Sequence, residues 1–131
     1  MGMEKIIEYY KNPRNRGKIK NPDAVGENIG SCGDTMAFFM KVGKKKIDGK
    51  EVDYIKDIKF ETMGCAVAVA TASITTEMAK GKTIEEAKKI TEADIAKEAG
   101  EIPEVKFHCI GLTLGTLRNV ILNWENKRKN K

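Results

Sequence analysis

The sequence changes character at residues 64–81, which read GCAVAVATASITTEMAKG. Small and apolar residues follow one another here almost without interruption until Lys80-Gly81. Alanine favours helix, and a helix that is apolar nearly all round is normally buried on every side. Glycine is the usual residue just past a helix end. The stretch therefore predicts a helix at the centre of the hydrophobic core, ending near Lys80-Gly81.

Further helices are expected before and after this central one. Residues 3–11 and 110–127 place apolar side chains three or four positions apart, which is typical of amphipathic helices. Thr83 followed by Glu86 matches a capping box and predicts a short helix. Residues 94–98 are expected to add one or two helical turns.

Strands are expected between the first and the central helix. Residues 34–42 are rich in Phe and Met, and residues 52–60 keep a largely two-residue apolar period. The basic, glycine-flanked residues 43–50 predict the exposed tip of an antiparallel hairpin. Residues 13–30 contain many Pro, Gly and Asn residues and predict an irregular loop. We expect one α+β domain over residues 1–131, with a small antiparallel sheet of about three strands packed against several helices.

Composition excludes several classes of protein. The residues are 40% hydrophobic and 33% charged, a composition typical of a globular domain. A chain of 131 residues is too short for a two-domain enzyme. No apolar run reaches the roughly 18 residues of a membrane span. Residues 1–11 are too charged for a secretory signal, so we expect a cytoplasmic, reducing location. The three cysteines, an odd number, are then expected to be thiols rather than a disulfide framework.

Each cysteine lies close to Gly, Asp or His at the end of a predicted element. Cys32 precedes a strand, and in extended backbone its side chain shares a face with that of Asp34. Cys65 lies where a strand turns into the central helix, and Cys109 follows His108 just before the last helix. Helix N-termini stabilise anions, so Cys65 and Cys109 are predicted to have increased thiolate character.

These residues taken singly also have ordinary structural interpretations. A lone cysteine is often a small buried hydrophobe, His108 could be a hydrogen-bonded residue, and Asp34 could cap a turn. The position of all three thiols and the only histidine at element junctions favours a shared metal site. However, the sequence has no Cys-x-x-Cys pair to anchor such a site. The residues alone leave both interpretations open.

Five sequence segments point to one family when they are taken together in order. They are Tyr9-Tyr10-Lys11-Asn12-Pro13-Arg14-Asn15, Cys32-Gly33-Asp34, Phe60-Glu61-Thr62-Met63-Gly64-Cys65, Thr76-Glu77 with Lys80-Gly81-Lys82-Thr83, and Pro103 with Val105-Lys106-Phe107-His108-Cys109. They extend over nearly the whole chain. In this order they resemble the IscU-type iron-sulfur cluster assembly scaffolds, a family similar to the N-terminal domain of NifU.

The resemblance implies a role for each candidate residue. Cys32, Cys65 and Cys109 correspond to the scaffold cysteines, Asp34 to the aspartate that tunes cluster lability, and His108 to an additional ligand. Such scaffolds are not enzymes, and they assemble a 2Fe-2S cluster from iron and from sulfur supplied by a cysteine desulfurase. An electron donor such as a ferredoxin and apo iron-sulfur client proteins are the other implied partners. The last cysteine, Cys109, is the implied persulfide acceptor.

His108 and Cys109 are adjacent, and in extended backbone they would point to opposite sides. This suggests the hypothesis of a ligand exchange. His108 and Asp34 would hold the first metal while Cys109 accepts the persulfide, and Cys109 would then join the cluster.

Two alternative functions and one question of assembly remain compatible with the sequence. The same ligands could hold zinc, and the protein would then relay sulfur, as the SufU relatives do. SufU relatives carry a long insertion between their second and third cysteines and often arginine at the position of His108, and neither feature occurs here.

Residues 44–46 and the basic C-terminal residues suggest a nucleic-acid-binding module, but only 6% of residues are aromatic. A cluster held by one chain or shared by a homodimer is compatible with the sequence.

One segment departs from the family pattern. The usual Leu-Pro-Pro-Val-Lys, which resembles a docking site for a specialised Hsp70 chaperone, is Ile102-Pro103-Glu104-Val105-Lys106 here. Glu104 removes a rigid proline and adds a charge, which argues against chaperone dependence.

Overall fold

The computed structural model describes residues 3–30, 33–100, 102 and 107–129. Within these residues it has five helices and three strands. The elements are α1 (Glu4–Lys11), β1 (Ala24–Ile29), β2 (Thr35–Ile47), β3 (Lys50–Met63), α2 (Ala66–Ala79), α3 (Ile84–Lys88), α4 (Glu92–Ala99) and α5 (His108–Lys129). The strands form one antiparallel sheet in the order β1-β2-β3. This confirms the predicted α+β class with a small antiparallel sheet.

Helix α2 occupies the centre of the core, as its composition predicts. Residues 67–76 are all buried, and α1, β3, α4 and α5 pack against the helix. The small side chains of Ala68, Ala70 and Ala72 allow these neighbours to approach closely. The helix is only 14 residues long, and no helix in the described ranges has the length and hydropathy needed to cross a membrane.

Capping boxes begin helices α3 and α4. The predicted box at α3 is present: Glu86 N–H donates to Thr83 Oγ1, and Thr83 N–H donates to the Glu86 carboxylate. This backbone N–H also holds the pKa of Glu86 below its ordinary value, because it favours the ionised form. An equivalent box, formed by Thr91 and Asp94, begins α4.

The β2–β3 hairpin is longer than predicted. Residues 43–47 belong to β2 rather than to an exposed tip, and Lys44 lies opposite Asp53 with an Nζ–Oδ1 distance of 3.0 Å. Two residues make the turn, Asp48 with φ 51° and Gly49 with φ 78°. Positive φ at both central residues is the signature of a type I′ hairpin turn, for which Asp-Gly is a preferred pair. Two lysines of the basic run thus face acidic residues across the hairpin, Lys44 opposite Asp53 and Lys46 opposite Glu51.

Strand β1 corrects the prediction of an irregular loop over residues 13–30. It pairs with β2 from Ala24↔Met40 to Ile29↔Thr35. Helix α5 lies directly against it: a Cβ added to Gly26 would be 2.3 Å from the backbone nitrogen of Val120. The local composition disfavours a strand, so packing against α5 decides the structure here.

Side-chain amides of α5 complete the hydrogen bonding of this edge strand. Asn119 Nδ2 donates to Glu27 O at 2.9 Å, and Asn123 Nδ2 donates to Val25 O at 2.8 Å. The two asparagines are four residues apart on the helix, a rise of about 6 Å. The two carbonyl groups are two residues apart on the strand, a rise of roughly 6.5 Å, so the donors and the acceptors have matching spacings. These amides fasten α5 to β1 and satisfy carbonyls that an edge strand would otherwise leave unpaired.

We expect Gly26→Ala to destabilise the protein because the methyl group would overlap the backbone of Val120 and push α5 away from β1. The expected loss in the free energy of unfolding is at least about 2 kcal/mol, typical of overpacking at a site that cannot relax. Urea denaturation followed by circular dichroism measures it. Glu27→Ala, at the exposed neighbouring position, should change this free energy by less than about 0.5 kcal/mol. Equal stability of the two variants would contradict the close packing.

Candidate metal centre

The N-termini of the two longest helices bring two thiols together. Cys65 is the N-cap of α2, in extended conformation with φ −72° and ψ 174°. Cys109 is the second residue of α5. Their Sγ atoms are 3.8 Å apart, far more than the roughly 2.05 Å of a disulfide bond. The prediction that both cysteines lie at helix N-termini is confirmed.

A second group of donors lies around Cys109. Ligand atoms of Asp34, His108 and Cys109 are all within 4.8 Å of one another. Asp34 directly precedes β2, and its carbonyl accepts a hydrogen bond from Gly30 N–H at 2.8 Å, at the end of the β1–β2 pairing. Cys109 therefore belongs both to the thiol pair and to this group of three.

Gly64 allows the Asp34 carboxylate to lie beside the start of α2. A Cβ added at Gly64 would be 3.0 Å from Asp34 Oδ2 and 3.0 Å from the Cβ of Ala68. Any larger residue at this position would force the carboxylate or the helix to move. The carboxylate thus lies next to the residue that precedes Cys65.

The expectation that His108 and Cys109 diverge in extended backbone is wrong. Helix α5 begins at His108, so both residues are in its first turn. Consecutive helical side chains project about 100° apart, so the two side chains can reach a common point. The measured grouping of His108 and Cys109 with Asp34 agrees with this geometry. Alternation of the two ligands is therefore not required by the backbone.

His108 has a buried nitrogen that fits a metal ligand. Its Nε2 atom is buried and has no hydrogen-bond partner among the described residues. Leaving such a group without a partner costs about 1–3 kcal/mol. Neutral imidazole nitrogen is a common metal ligand, and a bound ion would remove this cost.

The distance between the thiols also fits coordination of one ion. Two sulfur atoms bound tetrahedrally at about 2.3 Å from the same metal are about 3.8 Å apart. The observed Sγ–Sγ distance between Cys65 and Cys109 has this value. Cys65 is half-buried and Cys109 is fully buried, so water has limited access to the pair.

Some predicted residues lie outside the described part of the chain. Cys32 is one of them, so its place in the site remains a prediction. Residues 103–106, which carry the departure from the chaperone-docking pattern, are also outside it.

Nothing in the sequence pattern singles out the contact of Gly64 with Asp34 or the buried pair Thr71 and Thr113 between α2 and α5. The available signal was weak: Thr71 interrupts an apolar run, and Thr113 follows Cys109 by one helical turn.

Known proteins resemble the chain over most of its length. The family model described as NifU-like N terminal domain matches residues 1–131. The iron-sulfur cluster assembly scaffold protein IscU 1 of Archaeoglobus fulgidus is 45% identical over 129 residues, covering 97% of this chain and 78% of the relative. The IscU scaffold protein of Escherichia coli K12 is 40% identical over 135 residues, covering 98% of this chain and 97% of the relative.

Solved structures agree with the fold. A protein described as an iron-sulfur cluster assembly scaffold for the SUF system of Fervidobacterium islandicum has a TM-score of 0.68 and 27% identity, covering 90% of this chain and 94% of its own. The N-terminal part of a NifU-like protein from Brucella abortus has a TM-score of 0.62 and 23% identity, covering 98% and 94% of the two chains, and supports the fold alone. Since the family model spans the whole chain and curated IscU proteins share 40–45% of its residues, this chain belongs to the IscU-type family of NifU-like N-terminal domains.

Proposed function

We propose that residues 1–131 form a scaffold domain on which a 2Fe-2S cluster is assembled and from which it is transferred to apo-proteins. The observation that carries this proposal is the meeting of Cys65 and Cys109, with Sγ atoms 3.8 Å apart, beside Asp34 and His108. The relatives from Archaeoglobus fulgidus and Escherichia coli are named iron-sulfur cluster assembly scaffolds, which supports it. In this role the protein is a carrier and not an enzyme, and the cluster is its cargo.

The mixture of donors suits temporary binding. Thiolates are soft ligands that hold iron firmly, whereas a carboxylate is hard and matches iron-sulfur chemistry poorly. Cys109, His108 and Asp34 lie together, so a bound ion would have thiolate, imidazole and carboxylate within reach. A site of four thiolates would hold a cluster as a permanent cofactor. We propose Cys32 as the third thiolate.

The helix ends add an electrostatic contribution. Thiolates and bridging sulfides make a cluster site anionic, and the unpaired N–H groups of a helix N-terminus favour negative charge. Two such N-termini, those of α2 and α5, lie at the thiol pair. The two helix N-termini can thus help to stabilise the anionic cargo.

Sulfur delivery is proposed to occur at Cys109. Its thiolate would attack the outer sulfur of a persulfide on the cysteine desulfurase; a new S–S bond forms on Cys109, and the desulfurase cysteine leaves as a thiolate. Because Cys109 is fully buried, its sulfur atom has to become accessible during this transfer. Each transferred sulfur atom then needs two electrons to become sulfide, which calls for a donor such as a ferredoxin.

The basic segments support nucleic-acid binding less well than docking to an acidic partner protein. Lys44 and Arg128 both form ion pairs with Asp53, and Lys45 Nζ donates to Gly81 O at 3.1 Å. These contacts engage two lysines of the hairpin and one arginine of α5 within the protein itself. The remaining exposed lysines can still speed encounter with an oppositely charged partner.

Anaerobic reconstitution of the full chain with iron, a cysteine desulfurase, cysteine and a reductant tests the proposal. We expect visible sulfur-to-iron charge-transfer absorbance and roughly two irons and two sulfides per cluster. Native mass spectrometry then shows whether one chain or two hold the cluster. A colourless protein that keeps one zinc ion per chain after this treatment would instead identify a zinc-bound sulfur relay.

Cys109→Ser should abolish persulfide transfer, because a hydroxyl cannot accept sulfane sulfur. With radiolabelled cysteine and the desulfurase, the expected label on this variant is at least about tenfold below wild type. Cys65→Ser is the matched control and should still accept label. Transfer to Cys109→Ser at the wild-type rate would contradict the assignment of the acceptor.

Asp34→Ala should lengthen the lifetime of the loaded form, because it removes the hard ligand that weakens the site. The decay of visible absorbance in the presence of an apo-ferredoxin acceptor measures this lifetime. Asp48→Ala, at the exposed hairpin turn, is a matched loss of one carboxylate and should leave the decay unchanged. Faster loss of the cluster from Asp34→Ala would show that the carboxylate protects the cargo.

A further inference from the structure

A pair of buried hydroxyls connects the two helices that carry the described thiols. Thr71 of α2 and Thr113 of α5 are both 0% exposed, and their Oγ1 atoms are 2.9 Å apart. Thr113 Oγ1 is also 2.8 Å from the carbonyl oxygen of Cys109, and Thr71 Oγ1 is 3.1 Å from that of Ala68. The hydroxyls therefore link a backbone carbonyl of α5 to a backbone carbonyl of α2.

The number of hydroxyl protons determines which of these three short contacts can be hydrogen bonds. Two hydroxyls carry two protons, but three short contacts involve them. If each hydroxyl donated to its own helix, two oxygen lone pairs would face each other at 2.9 Å without a proton between them. One proton therefore lies between the helices. The shorter contact to Cys109 O favours the direction in which Thr71 donates to Thr113 and Thr113 donates to Cys109 O.

The bridge lies close to the thiols on both sides. Thr113 is one helical turn after Cys109, and Thr71 is less than two turns after Cys65, the N-cap of α2. Helices transmit small shifts along their axes as nearly rigid rods, whereas apolar contacts between helices have no preferred direction and allow sliding. A directional bond at this depth limits both sliding and rotation of α5 against α2.

We propose that Thr71 and Thr113 are positioning residues that set the distance between Cys65 and Cys109 through their interhelical hydrogen bond. This inference rests on the proposed function for its purpose, because the spacing it maintains is the one that a shared metal or cluster requires. Its physical content is independent of that function, since the bond joins two side chains of the protein itself.

The metal-free protein offers a direct measure of the distance. In a Cys32→Ser background only Cys65 and Cys109 remain, so diamide can form a single disulfide, taking up two electrons and two protons as it does so. The rate of this reaction depends on how often the two sulfur atoms come within bonding distance. Peptide mass mapping identifies the disulfide.

Replacement by the isosteric valine removes the bond while keeping the volume. We expect Thr71→Val and Thr113→Val each to slow disulfide formation about fivefold, the effect of one net hydrogen bond. The double variant should be no slower than either single variant, because all three lack the same bond. Thr113→Ser keeps the hydroxyl and should restore the wild-type rate.

Thr116→Val is the matched control. Thr116 is a fully buried threonine on the same helix, and its hydroxyl donates to Leu112 O at 2.7 Å within α5. This variant should oxidise at the wild-type rate. The inference is overturned if Thr113→Val oxidises as fast as wild type or faster, if Thr116→Val slows the reaction equally, or if the two valine substitutions add.

A second measurement, with circular dichroism as a check on folding, tests the geometry at the thiols independently of the oxidation rate. Cobalt(II) is added to each variant in the full-cysteine background, and the thiolate-to-cobalt absorbance and ligand-field bands report the geometry at the thiols. We expect shifted bands for Thr71→Val and Thr113→Val, and wild-type bands for Thr113→Ser and Thr116→Val; unchanged bands in the valine variants would overturn the inference. If Thr113→Val loses the native circular dichroism spectrum, Thr113→Ser should retain it. Loss of the native spectrum in both variants would count against the inference, because loss of the hydroxyl would then not explain the loss of folding.

The outcome separates this inference from the proposed function. A wild-type chain that builds no iron-sulfur cluster, but shows the expected oxidation pattern, would reject the scaffold role and support the positioning bridge. A chain that builds a cluster, but whose disulfide forms at the same rate after substitution of Thr71 or Thr113, would support the scaffold role and reject the positioning bridge.

Discussion

The burial of helix α2 on all sides is the constraint on which the arrangement near the thiols depends. Residues 67–76 have almost no contact with solvent, and α1, β3, α4 and α5 all pack on this helix. Each fully buried valine or isoleucine contributes about 1.5–3 kcal/mol, so displacement of the helix would be costly. Cys65 caps this helix and is therefore fixed relative to the core. Helix α5 is fixed in turn by its contact with β1 at Gly26, and this contact positions His108 and Cys109.

The sequence predicts elements well where local pattern and tertiary packing agree. The apolar run of α2 and the capping box of α3 are such cases, and both lie within a few residues of the expected bounds. It fails at β1, because Gly26 looks like a turn residue unless the approach of Val120 is known. It also places the start of α5 too late, since the apolar period begins only after Cys109 and nothing local indicates that His108 is helical. Tertiary contacts decide both points, and they are not encoded in nearby residues.

The same distinction applies to the candidate site. Cys65 and Cys109 are 44 positions apart, and no spacing rule predicts that their sulfur atoms lie 3.8 Å from each other. Their position at helix ends was readable, but their proximity was supported only by resemblance to a family. The Asp34 carboxylate can lie beside the start of α2 because Gly64 has no Cβ atom. In the sequence, Gly64 looks like an ordinary turn glycine. The candidate residues were thus predictable as types at junctions, and the geometry that unites them was not.

The proposed holding and release of a cargo place opposite demands on these residues. The Nε2 atom of His108 is buried without a partner in the described residues, and the half-buried Asp34 carboxylate belongs to the same group of donors, so both groups have lost part of their hydration at a cost in free energy. A bound cation relieves that cost, and this relief adds to its affinity without any strengthening of the metal–ligand bonds themselves. In the proposed function, the hard carboxylate of Asp34 limits the gain from ligation, so that cargo can leave when a better set of thiolates is presented. Well-packed helices and a labile ligand set are then complementary, since the first hold the ligands in place and the second keeps binding reversible.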